Sequence, residues 1–261
     1  MLSQRVRSGL GFGGILSVMF VLLVSAGMVK ADGRLFVFTY EALTMPPGGV
    51  EYEQWVTWKT NKDTDSEYDR LDFRHELEFG VTEDFQLAIY LSDWTYQDGK
   101  SVENDGSVWK DVAIEGIYNL TNPNEDWIGS ALYGEVGIGD EKFKLEGKLI
   151  LQKNIGKFVF AWNGIIEAEW EGEDYHEDKG KFGNTFGASY QVTPAFSLGA
   201  ELVHEIEYAD WADWEDSQVY LGPNVTYRRD NWWVGVAPLF QVTDVESAAN
   251  FETRLIFGIN F

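Results

Sequence analysis

Cysteine is absent from this 261-residue chain, and proline occurs only six times. The absence of thiols excludes a disulfide scaffold and a thiolate metal site. Basic residues are scarce as well, because 20 lysines and arginines stand against 43 acids and leave a formal net charge of −23. So acidic a chain lacks the positive surface that phosphates require, and we expect no nucleic-acid partner.

Long apolar runs are also missing. A membrane-spanning helix needs about 20 consecutive apolar residues. The apolar run at residues 15–24 is too short, and it follows Arg5 and Arg7 and precedes a group of small residues. This pattern predicts a cleavable signal peptide over residues 1–31, and therefore export.

Aromatic residues and strict alternation are what the chain has in abundance. Aromatics make up 15% of the sequence. In residues 251–261 every second side chain is apolar or threonine, and those between them are mostly polar or small. Successive side chains of a β-strand point to opposite faces, so this stretch predicts a strand with one apolar and one wet face.

Similar segments of about ten residues, the length of a transmembrane β-strand, recur through the chain. We predict strands at 50–59, 70–80, 84–94, 108–120, 128–139, 142–153, 157–170, 182–192, 196–208, 217–228, 232–242 and 251–261. Tight turns alternate with mostly longer acidic loops, among them 60–69 and 171–181. The prediction is an all-β, transmembrane, antiparallel up-and-down β-barrel of about 12 strands over residues 50–261.

Residues 32–49 precede the predicted barrel. We interpret them as a short periplasmic or lumen-inserted segment that Pro46 and Pro47 end. A thirteenth spanning strand here would break the even strand number of single-chain bacterial barrels.

Several short motifs resemble known outer-membrane proteins. The chain's aromatic end resembles the closing strand of bacterial outer-membrane β-barrels, and the resemblance implies that Phe257, Ile259 and Phe261 form the signal for the barrel-assembly machinery. The Pro-Gly start of the first strand and the turn at 80–87 resemble the outer-membrane transporters of the phenol-degradation MetA-like group. The resemblance implies transport and carries no catalytic residue.

Charge is divided between the two strand faces. Acids outnumber bases on the predicted inward face, whereas the outward face carries only Lys110, near an outer end. Charge on a lipid face is costly, so this division favours a membrane barrel with a wet lumen. In the third strand, Ser92 is assigned to the inward face. The predicted lumen constriction consists of Arg70, Arg74, Glu76, Glu78, Arg228, Glu252 and Arg254.

Metal and catalytic sites find less support. Asp63, Asp65, Glu67 and Asp69 alternate in an acidic loop and are weak candidates for a hard divalent cation, but the glycine of an EF-hand loop is missing. His75 and His204 are predicted to face the lipid, and neither has a serine two residues on. We therefore expect neither a cofactor nor an enzyme.

The sequence predicts a channel or transporter of the cell outer membrane that passes a small solute through an acidic lumen. Outer-membrane lipid and lipopolysaccharide are its expected surroundings. Two alternatives remain: a structural barrel with a closed, ion-paired lumen, and a lipid-facing hydrolase that uses His204.

Overall fold

The structure, a computed structural model, describes residues 33–102, 105–209, 211 and 213–261. The predicted signal peptide lies outside these residues. No helix among the described residues is long and apolar enough to cross a membrane.

Alternation of apolar and polar side chains produces a series of β-strands. They are β1 (Val50–Lys62), β2 (Asp65–Gly80), β3 (Phe85–Asp98), β4 (Gly106–Thr121), β5 (Gly129–Gly139), β6 (Lys142–Ile155), β7 (Phe158–Glu171), β8 (Glu177–Gln191), β9 (Phe196–Ala209), β10 (Asp213–Trp214), β11 (Gln218–Arg229), β12 (Trp232–Gln241) and β13 (Ala249–Asn260).

Twelve of these strands close into one antiparallel barrel. Each wall strand pairs with the next wall strand in the chain. The two-residue β10 is not part of the wall, because it pairs only with β9, and β9 is therefore followed in the wall by β11. Closure comes from β1 against β13, with Val56 directly opposite Leu255. Closure leaves no free edge, so the backbone polar groups of the wall are paired within it. The predicted fold class and strand number are confirmed.

Several outer connections are shorter than predicted, and two of them show why. Strands β1 and β2 continue outwards and are joined by residues 63–64 rather than by a loop at 60–69. The connection predicted at 171–181 shrinks to 172–176 because β8 begins at Glu177. The acidic stretches are therefore partly strand, because a wall that rises above the membrane can carry charge on both faces.

Two bulges change the predicted faces of β3 and β4. The register between β2 and β3 shifts at His75/Glu76, and beyond it Asp93, 7% exposed, faces the lumen in place of the predicted Ser92. In β4, Trp109 opposes Trp94 and Asp111 opposes Asp93, which leaves Lys110 as the extra residue. Its Nζ lies 3.7 Å from Asp72 Oδ1 in the lumen, so the outward assignment of Lys110 is wrong. An extra residue in a strand shifts the alternation of side chains, so the residues beyond it point to the faces opposite to those that a strict two-residue period predicts.

The buried core lies inside the barrel. Phe36, Val37 and Tyr40 of the segment before β1 are buried there against wall residues such as Trp55 and Tyr133. Outward side chains such as Ile114, Phe186 and Leu198 are about half exposed, as expected for a lipid-facing surface.

The register at the closure predicts a specific cross-link. Because the chain has no native cysteine, Val56→Cys with Leu255→Cys introduces one pair across β1 and β13. We expect oxidation to join these two cysteines, since they are direct partners. Protection from maleimide labelling, reversed by reductant, measures it. The control pair Val56→Cys with Phe257→Cys is displaced by two residues, and faster oxidation of that pair would contradict the register.

Candidate functional site

Residues 33–45, called the plug from here on, occupy the half of the lumen near the tight turns, which is the periplasmic half. The carboxylate of Glu201 on β9 holds the plug's centre. Its Oε1 accepts the Val37 amide at 2.7 Å, and its Oε2 accepts the amides of Phe38 at 2.8 Å and Thr39 at 2.9 Å. One carboxylate thus satisfies three buried backbone donors.

Amide side chains of other strands bind the rest of the plug backbone. Asn163 on β7 both accepts the Tyr40 amide at 2.6 Å and donates to the Tyr40 carbonyl at 3.0 Å. Four further bonds join plug backbone groups to the wall: Ala42 N to Gln152, Asn119 to Ala42 O, Met45 N to Gln86, and Asn224 to Leu35 O. Side chains of six different strands therefore hydrogen-bond the plug backbone.

Cations surround the plug's aromatic tip. The ring of Tyr40 lies 4.1 Å from Lys148 Nζ and 4.3 Å from Arg34 Cζ, and it packs edge-on against Tyr133. Higher in the lumen, the guanidinium of Arg254 lies 4.1 Å from the centre of the Phe38 ring. Cation–π contacts at desolvated sites contribute about 2 kcal/mol each, so these side chains hold the tip firmly.

A layer of ion pairs covers the plug on its outer side. Arg74 Nε lies 2.8 Å from Asp93 Oδ2, and Glu135 lies 2.6 Å from Lys144 Nζ. Lys148 with Glu146 and Lys142 with Glu169 extend the layer at 2.8 and 2.5 Å. The acids and bases predicted for the lumen meet there, as the closed-barrel alternative expects.

The residues of the predicted constriction lie at different heights. Arg70 binds Asp72 near the outer end, and Glu252 lies 3.5 Å from Lys59. Arg74 and Arg254 lie immediately above the plug. Arg228 donates to the Pro194 carbonyl at the periplasmic rim.

Glu76 and Glu78 belong to a separate acidic cluster beside the plug. Across the β1–β2 pair, Glu51 is directly opposite Glu78 and Glu53 is directly opposite Glu76. Oxygens of Glu51, Glu53 and Glu78 approach within 4.8 Å of one another. Arg34 Nη1, 3.3 Å from Glu53, is the cation paired with this cluster among the residues described. Like charges directly opposite on a sheet repel.

The four weak metal candidates do not converge. Asp65 accepts backbone amides of Glu67 and Ser101, Asp69 accepts Trp58 Nε1, and Asp63 accepts Asn250. Glu67 accepts a hydrogen bond from Lys100 at 2.7 Å, which raises the pKa of that ammonium above its ordinary value. Each carboxylate has its own donor in the outer rim.

The three residues of the expected assembly signal lie at the periplasmic end of the wall. Phe257 and Ile259 face outward, and Phe257 stacks with Trp232 at 6.3 Å between ring centres. The Phe261 amide donates to the Val50 carbonyl at 3.0 Å.

Sequence reasoning missed several residues that the structure brings into contact. Glu201 and Asn163 were not distinguished from other inward polar residues, although they bind the plug. Lys181, placed outside the predicted strand, lies 3.5 Å from Glu167 in the lumen. His204 faces outward as expected, but its Nε2 lies 2.9 Å from Oγ of Ser217, the residue immediately before β11.

The fold is similar to those of solved outer-membrane β-barrel proteins. An outer-membrane channel from Pseudomonas putida F1 is similar at a TM-score of 0.60 and 15% identity, covering 87% of this chain and 100% of its own. The NanC porin is similar at a TM-score of 0.54 and 8% identity, and the match covers 80% of this chain and 98% of the porin. The translocator domain of the autotransporter NalP from Neisseria meningitidis is similar at a TM-score of 0.51 and 9% identity. The match covers 95% of this chain and 97% of the translocator domain. At these identities the likeness shows the fold.

The family is defined by sequence. Residues 28–254 match the family of unknown function DUF6662, and the chain belongs to that family. The comparison with curated proteins finds no match.

Replacement of glutamate by glutamine should have opposite effects on stability in the acidic cluster and in the ion-pair layer. Glu78→Gln removes a charge that faces Glu51, and we expect a gain of about 0.2–1 kcal/mol in the free energy of unfolding. Glu135→Gln removes the partner of Lys144, and we expect a loss of about 1.5–3 kcal/mol. Urea unfolding in lipid at pH 7 measures both variants, and a loss in both would contradict the repulsion.

Proposed function

We propose that this protein is an outer-membrane channel that passes a small solute through its acidic lumen, with the plug as the gate. One observation carries the proposal: the plug is bound by side chains, whereas the wall closes without it. Leaving the lumen would break no strand pairing, so the barrel can open and stay intact. The resemblance to MetA-like transporters agrees with this function, and export through a signal peptide would deliver it to the outer membrane.

The energetic balance of the plug is close. Burial of Phe36, Val37, Phe38 and Tyr40 contributes about 6–12 kcal/mol. Nine hydrogen bonds join backbone groups of residues 35–45 to wall side chains, and at about 1 kcal/mol each they add about 9 kcal/mol. Ordering eleven residues costs about 11–22 kcal/mol. The cation–π contacts of Tyr40 and Phe38, at about 2 kcal/mol each, add to the gain. The stabilising terms are therefore of the same order as the cost of ordering the plug.

The lumen's charge would select the permeant species. Carboxylates exceed bases along the inward face, and the charge of Arg74 above the plug is paired with Asp93. Rings of carboxylates favour cations over anions in pores. We therefore assign the channel to cations or neutral polyhydroxylated solutes.

Conductance of the refolded mature chain in a planar bilayer tests the gate. Glu201→Gln replaces one of the two acceptor oxygens that bind the plug backbone, so we expect openings at least tenfold more frequent than in the unaltered protein. The matched control is Glu205→Gln, on the same face of β9, where the carboxylate lies 3.8 Å from Lys181. This control should leave the opening frequency unchanged.

Deletion of residues 35–45 gives the decisive comparison. We expect steady, cation-selective steps under a salt gradient. A deletion variant that is folded by its heat-modifiable migration and yet silent would reject the channel and favour the closed structural barrel. Anion selectivity would reject the role of the carboxylates.

A further inference from the structure

Three polar side chains meet on the outside of the barrel. Asn184 on β8 is directly opposite His204 on β9, and both face the lipid. The Asn184 amide nitrogen lies 3.2 Å from His204 Nδ1, and His204 Nε2 lies 2.9 Å from the exposed Ser217 Oγ. Polar groups facing lipid are costly and usually serve a function. We propose that Ser217 and His204 form a serine hydrolase site, positioned by Asn184, for acyl esters of outer-leaflet lipids.

The site lies on the membrane side of an aromatic cluster. Tyr208 packs edge-on against Trp214 and stacks on Trp211, forming an aromatic cluster at the outer end of β9. Aromatic clusters of this kind mark the headgroup level. His204 lies four residues below Tyr208, about 13 Å along the tilted strand. The exposed side chains of Phe186 and Leu221 lie lower on the neighbouring strands, where acyl chains would contact them.

The imidazole ring has two hydrogen-bonding states. With the Asn184 amide nitrogen toward Nδ1, that ring nitrogen accepts, and Nε2 carries the hydrogen and donates to Ser217. Rotating the amide by 180° brings Oδ1 to Nδ1, which then carries the hydrogen. Nε2 is then free to accept the Ser217 proton. Trp162 Nε1 donates to Asn184 Oδ1 at 3.2 Å and stabilises the first, inactive state.

The reaction follows from the second state. Ser217 Oγ attacks the ester carbonyl carbon while His204 Nε2 takes its proton, and the ester C–O bond then breaks as the imidazolium returns that proton to the leaving alcohol. The products are an acylated Ser217 and a lysolipid. Water, deprotonated by His204, then attacks the acyl-serine carbonyl carbon. The acyl–Oγ bond breaks as the imidazolium returns that proton to Ser217, and a fatty acid is released.

The other lipid-facing histidine supplies a matched control. His75 Nδ1 lies 2.9 Å from the Tyr52 hydroxyl, and its ring stacks on Tyr52. Its described hydrogen-bond partner is thus a tyrosine rather than a serine. His75→Ala therefore removes a histidine from the same surface without touching the proposed site.

The test measures fatty-acid release by the refolded mature chain in vesicles of phosphatidylethanolamine and phosphatidylglycerol. We expect Ser217→Ala and His204→Ala to reduce release by about 100-fold or more, and His75→Ala to leave it unchanged. A fluorophosphonate probe should label the unaltered protein at Ser217 and not label Ser217→Ala. Heat-modifiable migration establishes that every variant is folded. Release by Ser217→Ala equal to that of the unaltered protein, or no release and no labelling by the folded unaltered protein, would overturn the proposal.

Trp162→Phe examines the positioning role of Asn184. Removing the indole N–H frees the amide to rotate toward the active state, so we expect release to rise about two- to tenfold. Asn184→Ala should lower the rate and leave folding intact. A merely structural Asn184 predicts no gain on Trp162→Phe, and that result would contradict its role. Neither readout depends on ion flow through the lumen.

Discussion

Every buried backbone N–H and C=O group must find a hydrogen-bond partner, and this constraint organises the whole molecule. In the wall the requirement is met by closure, since β1 pairs with β13. The plug cannot meet it in that way because it has no neighbouring strand. Its amides instead bind Glu201, Asn163 and Gln152. The plug's backbone therefore explains these polar residues of the lower lumen.

The fold was predictable because the two-residue period of a strand is visible in sequence. All twelve wall strands overlap their predicted segments, and errors arose where a local irregularity broke the period. The bulges at His75/Glu76 and around Lys110 are examples, because an extra residue leaves no compositional mark. The strand ends above the membrane were missed for another reason: outside lipid, neither face needs to be apolar, so alternation fades while pairing continues.

The site was much less predictable, since it depends on contacts between distant strands. Glu201 is one of many inward acids, and only the plug's path distinguishes it. The pairing of Ser217 with His204 joins residues separated by an irregular connection and by β10. The expectation that the chain is not an enzyme rested on the absence of a serine two residues after either histidine and of a serine that obviously pairs with one across strands. Ser217 precedes β11 in an irregular connection, so its contact with His204 is not readable from the strand pattern.

The plug also bears on the order of folding. It precedes β1 in the chain, yet its side-chain partners extend from Gln86 on β3 to Asn224 on β11. Its binding site is thus incomplete until almost the entire wall has assembled. The first residues of the described chain must then order among the last, inside a barrel that is already closing. Assembly therefore passes through an open-lumen state before the plug is bound.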